Sequence, residues 1–195
     1  MNIKIGCLIM ASGKGTRFGS NKLMADLNGK PLLSYAIDNT KDIFDSRTVI
    51  TRYSEAAKLC SLMNINCIIH DFHDKNDVIR IGMESLANDI SHCIFIQGDQ
   101  PLIKPETLKA FAEAIKKEPD YIYQFSYNGE PSSPVCFPAL FFNKLKNLPS
   151  GKSGKYILEK HPAQIKYIPA KDAYEVLDVD TPADIEKISN IIQQK

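Results

Sequence analysis

A glycine- and cation-rich loop near the N-terminus carries the clearest chemical pattern in this sequence. Residues 5–11 are a run of mainly apolar residues, and residues 12–22 then supply three glycines, three cations and several hydroxyl groups. An apolar run without alternation predicts a parallel strand buried on both faces, and open α/β sheets bind ligands at the carboxyl ends of such strands. Glycines let the backbone approach an anion closely, and successive amides form a concave nest around it. With charge from Lys14, Arg17 and Lys22, the loop is predicted to bind a polyphosphate.

Two well-known phosphate-binding patterns do not match this loop. A P-loop requires G-x-x-x-x-G-K-[ST], but Gly19 is followed by Ser20, and the Gly-Lys-Ser at 151–153 has Lys146 where the first glycine should be. A dinucleotide fingerprint requires G-x-G-x-x-G, and the spacing of Gly13, Gly15 and Gly19 is one residue too long. The alternative to a phosphate site is a surface turn with solvated charges.

Two aspartates are candidates for holding Mg²⁺. Asp99 follows the apolar run 93–96, so its carboxylate should emerge at the carboxyl edge of the sheet, and Mg²⁺ prefers such oxygen ligands. Asp180 lies two residues after Asp178, and in an extended segment the two side chains share a face. The alternatives are a turn aspartate at 99, and helix capping by Asp178, Asp180 or Thr181 before the helix predicted from Pro182.

The elements that must position these residues alternate between strands and helices. Apolar and β-branched runs predict strands beginning at Ile5 and over 47–51, 67–70 and 93–96. Helical spacing predicts helices over 31–38, 54–63, 78–87 and 105–117. This alternation predicts an α/β fold with a doubly wound, mostly parallel sheet.

The second half of the chain is less regular. Strands are predicted over 121–127, 133–138, 165–168 and 174–177, and helices over 140–148 and 182–193. Prolines bracket the strand at 133–138, which predicts a position near an edge or a bend of the sheet. No linker or repeat interrupts the pattern, so residues 1–195 are predicted to form a single domain.

Composition excludes several classes of function. The 195 residues are 44% hydrophobic with a net charge of +1, which suits one full-sized core and argues against a general nucleic-acid or membrane partner. No run approaches the length of a membrane span, and no signal-peptide pattern opens the chain. The five cysteines are scattered without a C-x-x-C, which favours buried thiols in a reducing, cytoplasmic compartment over structural zinc.

The loop also resembles a family signature. Residues 8–22 are similar to L-x-x-A-x-G-x-(G/S)-x-R-(F/M)-G-x-x-K, found in nucleotidyltransferases similar to molybdenum cofactor cytidylyl- and guanylyltransferases. Residues 22–33 continue the resemblance to K-L-x-x-x-L-x-G-K-P-L-L, residues 98–101 resemble the family's metal-binding motif, and residues 178–184 resemble its closing D-V-D-T-P-x-D. The glutamine at position 100 is similar to the cytidylyl branch. The resemblance implies a Rossmann-like nucleotidyltransferase fold.

The resemblance also implies an activity and a set of roles. CTP would be the donor and the terminal phosphate of molybdopterin, carrying molybdenum, the acceptor, with pyrophosphate released. The implied catalytic residues are Arg17, Lys22 and Asp99, and the implied Mg²⁺ ligands are Asp99 and Asp180. The implied nucleotide-binding residues are Ala11, Ser12, Gly13, Lys14, Gly15, Thr16, Asp71 and Arg80. His70 and His73, beside Asp71 and Asp74, could instead form a metal site, although a solvated loop is favoured there.

Two departures from the family pattern keep the substrate open. Relatives often have S-S-S-L-R-A-G where this chain has residues 76–82, which keep Arg80 and Gly82 but no serine. Relatives often have G-D-x-G-A-R where this chain has Gly-Lys-Ser-Gly-Lys-Tyr at 151–156. The alternatives are a guanylyltransferase, a sugar- or alditol-phosphate cytidylyltransferase, and a nucleotide-binding chaperone that delivers the cofactor to a molybdoenzyme without turnover.

Overall fold

A computed structural model describes residues 2–194. Its strands are β1 (Ile5–Ala11), β2 (Asp26–Leu27), β3 (Lys30–Pro31), β4 (Ser46–Thr51), β5 (Asn66–Ile69), β6 (His92–Gln97), β7 (Ile122–Tyr127), β8 (Glu130–Pro138) and β9 (Ile165–Pro169). Its α-helices are α1 (Leu32–Asn39), α2 (Ser54–Leu62), α3 (Lys75–Glu84), α4 (Pro105–Lys117), α5 (Phe142–Lys146), α6 (Lys155–Lys160) and α7 (Pro182–Gln193). None of the helices within residues 2–194 is long and apolar enough to cross a membrane.

Seven of these strands form one sheet in the order β5-β4-β1-β6-β8-β7-β9. The four strands β5, β4, β1 and β6 are parallel, β8 runs antiparallel to both β6 and β7, and β9 is parallel to β7. The short strands β2 and β3 form a separate hairpin. The predicted α/β fold with a mostly parallel sheet is therefore confirmed.

The central strand β1 shows why its sequence is apolar without alternation. Ile5, Cys7 and Ile9 belong to a core that also contains residues of α1, α2 and α4. Leu8 belongs to a second core with residues of α3, α5 and α6. Because helices cover both faces, every position of β1 contacts apolar side chains, and the strand must be apolar throughout.

The strand at 133–138 was predicted to lie near an edge or a bend of the sheet, and the first of these alternatives does not hold. β8 lies between β6 and β7, inside the sheet. Its register with β7 shifts between Gln124 and Phe125, where Val135 and Ser132 are the respective partners, so Ser133 and Pro134 have no partner in the β7 register. A bulge removes the need for a ladder hydrogen bond from the proline nitrogen, which is how an internal strand accommodates this residue. Because a bulge bends the strand that carries it, the register shift agrees with the second alternative, a bend.

Two further predictions differ from the structure, and helix α6 was not predicted. The predicted strand at 174–177 is a 3₁₀ helix over Ala173–Val176, which begins where the Asp172 side chain accepts a hydrogen bond from the Tyr174 amide. The predicted helix at 140–148 is a 3₁₀ turn over Ala139–Phe141 followed by the short α5. Helix α6 lies directly after the loop at 149–154 and was not predicted, since its six residues are too short to show a helical period.

Candidate active site

The glycine-rich loop and Asp99 meet because their strands are neighbours. β1 and β6 are parallel and paired up to Met10 and Gln97, and the Gly98 amide continues the pairing with a 3.0 Å hydrogen bond to the Met10 carbonyl. A Cβ atom at Gly98 would lie 3.0 Å from Leu33 and 3.3 Å from the Met10 oxygen, so this close approach favours glycine. The loop after β1 and the Asp99 carboxylate therefore leave the sheet side by side.

A cluster of four charged side chains lies at this edge of the sheet. Lys22 Nζ is 2.6 Å from Asp99 Oδ2 and 3.3 Å from Asp180 Oδ1, and Arg17 Nη2 is 3.0 Å from Asp180 Oδ2. The Lys22 side chain is 10% exposed, whereas that of Arg17 is 71% exposed. The two carboxylates thus converge on one buried cation, with a second cation on the solvent side.

Backbone hydrogen bonds bring the closing segment to Asp99. The Val179 amide donates to the Asp99 carbonyl at 3.0 Å, and Lys22 Nζ donates to the Val179 carbonyl at 2.6 Å. Thr181, one of the three capping alternatives raised by the sequence, is the N-cap residue of α7 and forms a capping box with Asp184. Asp184 Oδ2 accepts hydrogen bonds from the amides of Thr181 at 2.7 Å and Asp180 at 3.0 Å, and the Asp180 carboxylate is directed to the charged cluster.

Two groups at this edge of the sheet, Lys22 of the charged cluster and the neighbouring Asp178, have shifted pKa values. Burial disfavours the Lys22 ammonium, but hydrogen bonds to Asp99 and Asp180 and their negative charges outweigh it, so the pKa of Lys22 is raised. Burial and the charge of Asp99 raise the pKa of Asp178, and a hydrogen bond with Gln100 opposes that shift. The site therefore holds an ammonium that stays charged at neutral pH among an excess of carboxylates.

The predicted nucleotide-binding residues at the end of β1 and in the loop differ in how exposed they are. Ala11 is buried at the end of β1, and Gly13, Lys14 and Thr16 are exposed in the loop. The Ser12 hydroxyl donates to the Ile50 carbonyl at 2.9 Å and lies 2.7 Å from His70 Nε2, so it is already occupied within the fold.

Asp71 and Arg80 lie on a different part of the structure from the charged cluster. Asp71 is exposed in the segment after β5. Arg80 lies on α3, where it pairs with Asp77 at 3.2 Å and with Glu84 at 3.5 Å and lies over the Phe72 ring. A role of either residue in nucleotide binding stays a prediction.

The alternative of a metal site at the two histidines receives no support from the geometry. His70 is buried against Ser12 and Phe72, and burial together with the charge of Arg52 lowers its pKa. Among residues 2–194, no group of three or more histidine, cysteine, aspartate or glutamate side chains is arranged to hold a metal ion. Any divalent cation at Asp99 and Asp180 would accordingly need further ligands from substrate or water.

The sequence analysis missed three residues that contact the loop. Thr51 is the last residue of β4, Arg52 and Tyr53 follow it, and all three donate hydrogen bonds to the carbonyls of residues 11–13. A signal was available, since these polar residues stand at the end of a predicted strand and so lie at the carboxyl edge of a parallel sheet.

Two glycine substitutions separate folding from binding in this loop. Gly15 has φ +58°, and a Cβ there would lie 2.9 Å from the Ser20 carbonyl oxygen, whereas a Cβ at Gly13 would meet nothing within 4 Å. Gly15→Ala should lower the free energy of unfolding by about 1–3 kcal/mol. Each kcal/mol should lower the melting temperature by roughly 2–4 °C. Gly13→Ala should melt like the wild type but bind magnesium triphosphate several-fold more weakly in calorimetry, because its methyl group occupies open space beside the loop amides. Wild-type affinity in Gly13→Ala would show that phosphate does not approach this position.

Comparison with known proteins places this geometry in a family. The family of the MobA-like NTP transferase domain matches residues 7–165. A probable molybdenum cofactor guanylyltransferase from Thermococcus sibiricus is 24% identical over 202 residues, covering 95% of this chain and 98% of that protein. One from Natranaerobius thermophilus is 28% identical over 123 residues, covering 60% of this chain and 58% of that protein. The bifunctional protein GlmU of Sulfurovum sp. is 34% identical over 113 residues, or 55% of this chain and 26% of that protein. The chain therefore spans about a quarter to a little over half of several curated relatives.

Solved structures agree on the fold. Rv0371c of Mycobacterium tuberculosis, solved in complex with manganese, has a TM-score of 0.79 at 18% identity, covering 96% of this chain and 98% of that one. A CMP:2-keto-3-deoxy-manno-octonic acid synthetase complexed with CTP has a TM-score of 0.74 at 14% identity, covering 100% and 99% of the two chains. The predicted Rossmann-like fold of nucleotidyltransferases is thus confirmed. Since the family match extends over most of the sequence and includes the loop, Lys22 and Asp99, this chain belongs to the MobA-like NTP transferase domain family.

Proposed function

We propose that this protein is a nucleotidyltransferase that moves CMP from CTP to the terminal phosphate of molybdopterin, carrying molybdenum, and releases pyrophosphate. The observation that carries the proposal is the convergence of Asp99 and Asp180 on Lys22 beside the glycine-rich loop. Carboxylates, cations and loop amides at one edge of the sheet are the groups that phosphoryl chemistry requires. Membership of the MobA-like family supports the same reaction class.

The residues present fit a divalent cation such as Mg²⁺. Asp99 and Asp180 offer hard oxygen donors, and both already contact one cationic group, the Lys22 ammonium. Mg²⁺ is commonly held by one or two carboxylates, with water and substrate phosphates completing its coordination, and this site offers two. When bound, the ion would neutralise phosphate charge and orient the phosphates for attack.

The chain's own residues would align and neutralise the reactants. Lys14, Arg17 and the loop amides would hold the β- and γ-phosphates, and Lys22 would stabilise the negative charge that develops around the α-phosphate. An oxygen of the acceptor phosphate attacks the α-phosphorus in line, so one P–O bond forms as the bond to the bridging oxygen of the leaving pyrophosphate breaks. The Lys22 and Arg17 ion pairs with Asp180 must rearrange when phosphate arrives, because the same cations then serve the substrate.

CTP is proposed as donor from the Gly-Asp-Gln-Pro motif at 98–101. In the structure Gln100 is buried directly after Asp99, which suits a residue that packs beside the carboxylates of the site. GTP is the second candidate, since the Thermococcus sibiricus protein that aligns over nearly the whole chain is called a probable guanylyltransferase. Delivery of the product to a molybdoenzyme belongs to the same proposal.

Thermal unfolding with each of the four common nucleoside triphosphates, with and without Mg²⁺, tests the donor. A ligand at ~100 times its dissociation constant adds about 2.7 kcal/mol, which is a shift of several degrees. We expect the largest Mg²⁺-dependent shift with CTP, whereas a larger shift with GTP would assign the chain to guanylyl transfer. A protein that no triphosphate stabilises would contradict the nucleotide site.

Pyrophosphate release then tests the acceptor and the turnover. We expect release with CTP and molybdopterin and none with sugar or alditol phosphates. Binding of CTP and molybdopterin without release would instead indicate a chaperone that carries the cofactor.

A further inference from the structure

Three consecutive side chains at the carboxyl end of β4 donate hydrogen bonds to three consecutive carbonyls at the start of the glycine-rich loop. Thr51 Oγ1 donates to the Ala11 carbonyl at 2.9 Å, Arg52 Nε to the Ser12 carbonyl at 2.9 Å, and Tyr53 Oη to the Gly13 carbonyl at 2.8 Å. We call Thr51, Arg52 and Tyr53 the carbonyl clamp. The pairing has the same register as the adjacent strands, in which Ala11 is the partner of Thr51.

Holding a carbonyl also fixes the direction of the next amide. In a planar trans peptide, the C=O of one residue and the N–H of the following residue point in opposite directions. The clamp draws the carbonyls of residues 11–13 toward the β4 side, so the N–H groups of residues 12–14 point away from it. Within residues 2–194, the N–H groups of Gly13 and Lys14 form no hydrogen bond, so they remain free to serve a ligand.

Arg52 also ties the loop to a second segment. Its Nη2 donates to the Phe72 carbonyl at 2.7 Å, in the segment after β5 that contains Asp71. The guanidinium therefore joins two loops with its fork of donors, a geometry that lysine cannot reproduce with one ammonium. Its position argues for a structural tie rather than a direct phosphate contact.

We propose that Thr51, Arg52 and Tyr53 are positioning residues that aim the loop amides at the β- and γ-phosphates of the nucleotide. The inference rests on the proposed function, because it assigns these residues to the same phosphate site. Polyphosphate affinity then depends on side chains 40 residues away from the loop they hold. The carbonyl clamp contacts the loop whose amides would bind phosphate, and it makes no hydrogen bond to the charged cluster of Lys22, Arg17, Asp99 and Asp180 among residues 2–194.

Tyr53→Phe is the sharpest test, since it removes only the hydroxyl that donates to the Gly13 carbonyl, in an exposed hydrogen bond. We expect the affinities for magnesium pyrophosphate and CTP to fall by about three- to tenfold, the scale of one hydrogen bond, with the melting temperature and the CMP affinity unchanged. Tyr35→Phe is the matched control, because Tyr35 Oη donates to the Leu27 carbonyl at 2.9 Å outside this loop. It should bind pyrophosphate like the wild type.

Arg52→Lys separates positioning from charge. A positioning role predicts a loss of pyrophosphate affinity larger than that of Tyr53→Phe, whereas wild-type affinity in Arg52→Lys would show that charge alone matters and would overturn the inference. Wild-type pyrophosphate affinity in folded Tyr53→Phe would overturn it equally. A wild-type protein that binds neither CTP nor pyrophosphate would overturn the proposed function and this inference with it.

Discussion

Asp99→Asn should lower the rate of pyrophosphate release at least about 100-fold, the scale of removing one preorganised electrostatic group from an active site. The Asp99 carboxylate is 22% exposed, lies 2.6 Å from Lys22 and follows β6, which fixes its position at the edge of the sheet. Asparagine keeps the shape but loses the charge and one anionic oxygen, so both metal binding and the placement of Lys22 suffer. Lys22 keeps its contacts with Asp180 and the Val179 carbonyl, so the variant should remain folded.

The measurements are the rate of pyrophosphate release and the affinity for Mn²⁺ in the absence of nucleotide, followed by electron paramagnetic resonance. Asp89→Asn is the matched control, because Asp89 forms a 2.5 Å ion pair with Lys4 just before β1, at the opposite end of that strand. Asp89→Asn should keep the wild-type rate of pyrophosphate release and the wild-type affinity for Mn²⁺. Wild-type turnover in folded Asp99→Asn would remove Asp99 from the mechanism.

Lys22→Met should change catalysis and metal binding in opposite directions. Turnover should fall at least about 100-fold, because the charge around the α-phosphate loses its nearest cation. Mn²⁺ affinity without nucleotide should rise several-fold, because the ammonium no longer competes for Asp99 and Asp180. Methionine retains an apolar stem in the largely buried position of Lys22, which limits the loss of stability.

The opposite signs make this prediction easy to contradict. A purely structural Lys22 would lower the melting temperature and Mn²⁺ affinity together, since the two carboxylates would separate without it. Lys4→Met, which removes the cation of the Lys4–Asp89 pair, should leave turnover and Mn²⁺ affinity unchanged. Melting curves for both variants show whether the comparison is between folded proteins.

The local sequence was sufficient to predict features that depend on the pattern of buried residues along a strand or on where a strand ends. β1 could be predicted because a strand covered on both faces has no room for polar residues, as its two cores show. The position of Asp99 could be predicted because a polar group directly after a buried parallel strand emerges at the carboxyl edge of the sheet. Neither inference requires knowledge of which strands are neighbours.

Tertiary structure decided everything that depends on pairing between distant segments. The place of β8 inside the sheet follows from pairing with β6 and β7, and its prolines suggested an edge because the bulge that accommodates Pro134 has no local signature. The 3₁₀ helix at Ala173–Val176 contains Glu175, which is buried where Thr107 and the Lys104 amide donate to its carboxylate.

The site itself shows the same division. The sequence supplied Arg17, Lys22, Asp99 and Asp180 as separate candidates, but Lys22 and Asp180 are 158 residues apart and meet only when the closing segment pairs with Asp99. The carbonyl clamp lies at the end of a predicted strand, which indicated its place at this edge, but its hydrogen bonds could not be predicted, since a hydrogen bond to a backbone carbonyl places no requirement on the residue that accepts it. The sequence determined which groups are present at the edge of the sheet. The fold decided which carboxylates contact the same cation and which side chains hold the loop, because those contacts depend on distances that exist only in the folded chain.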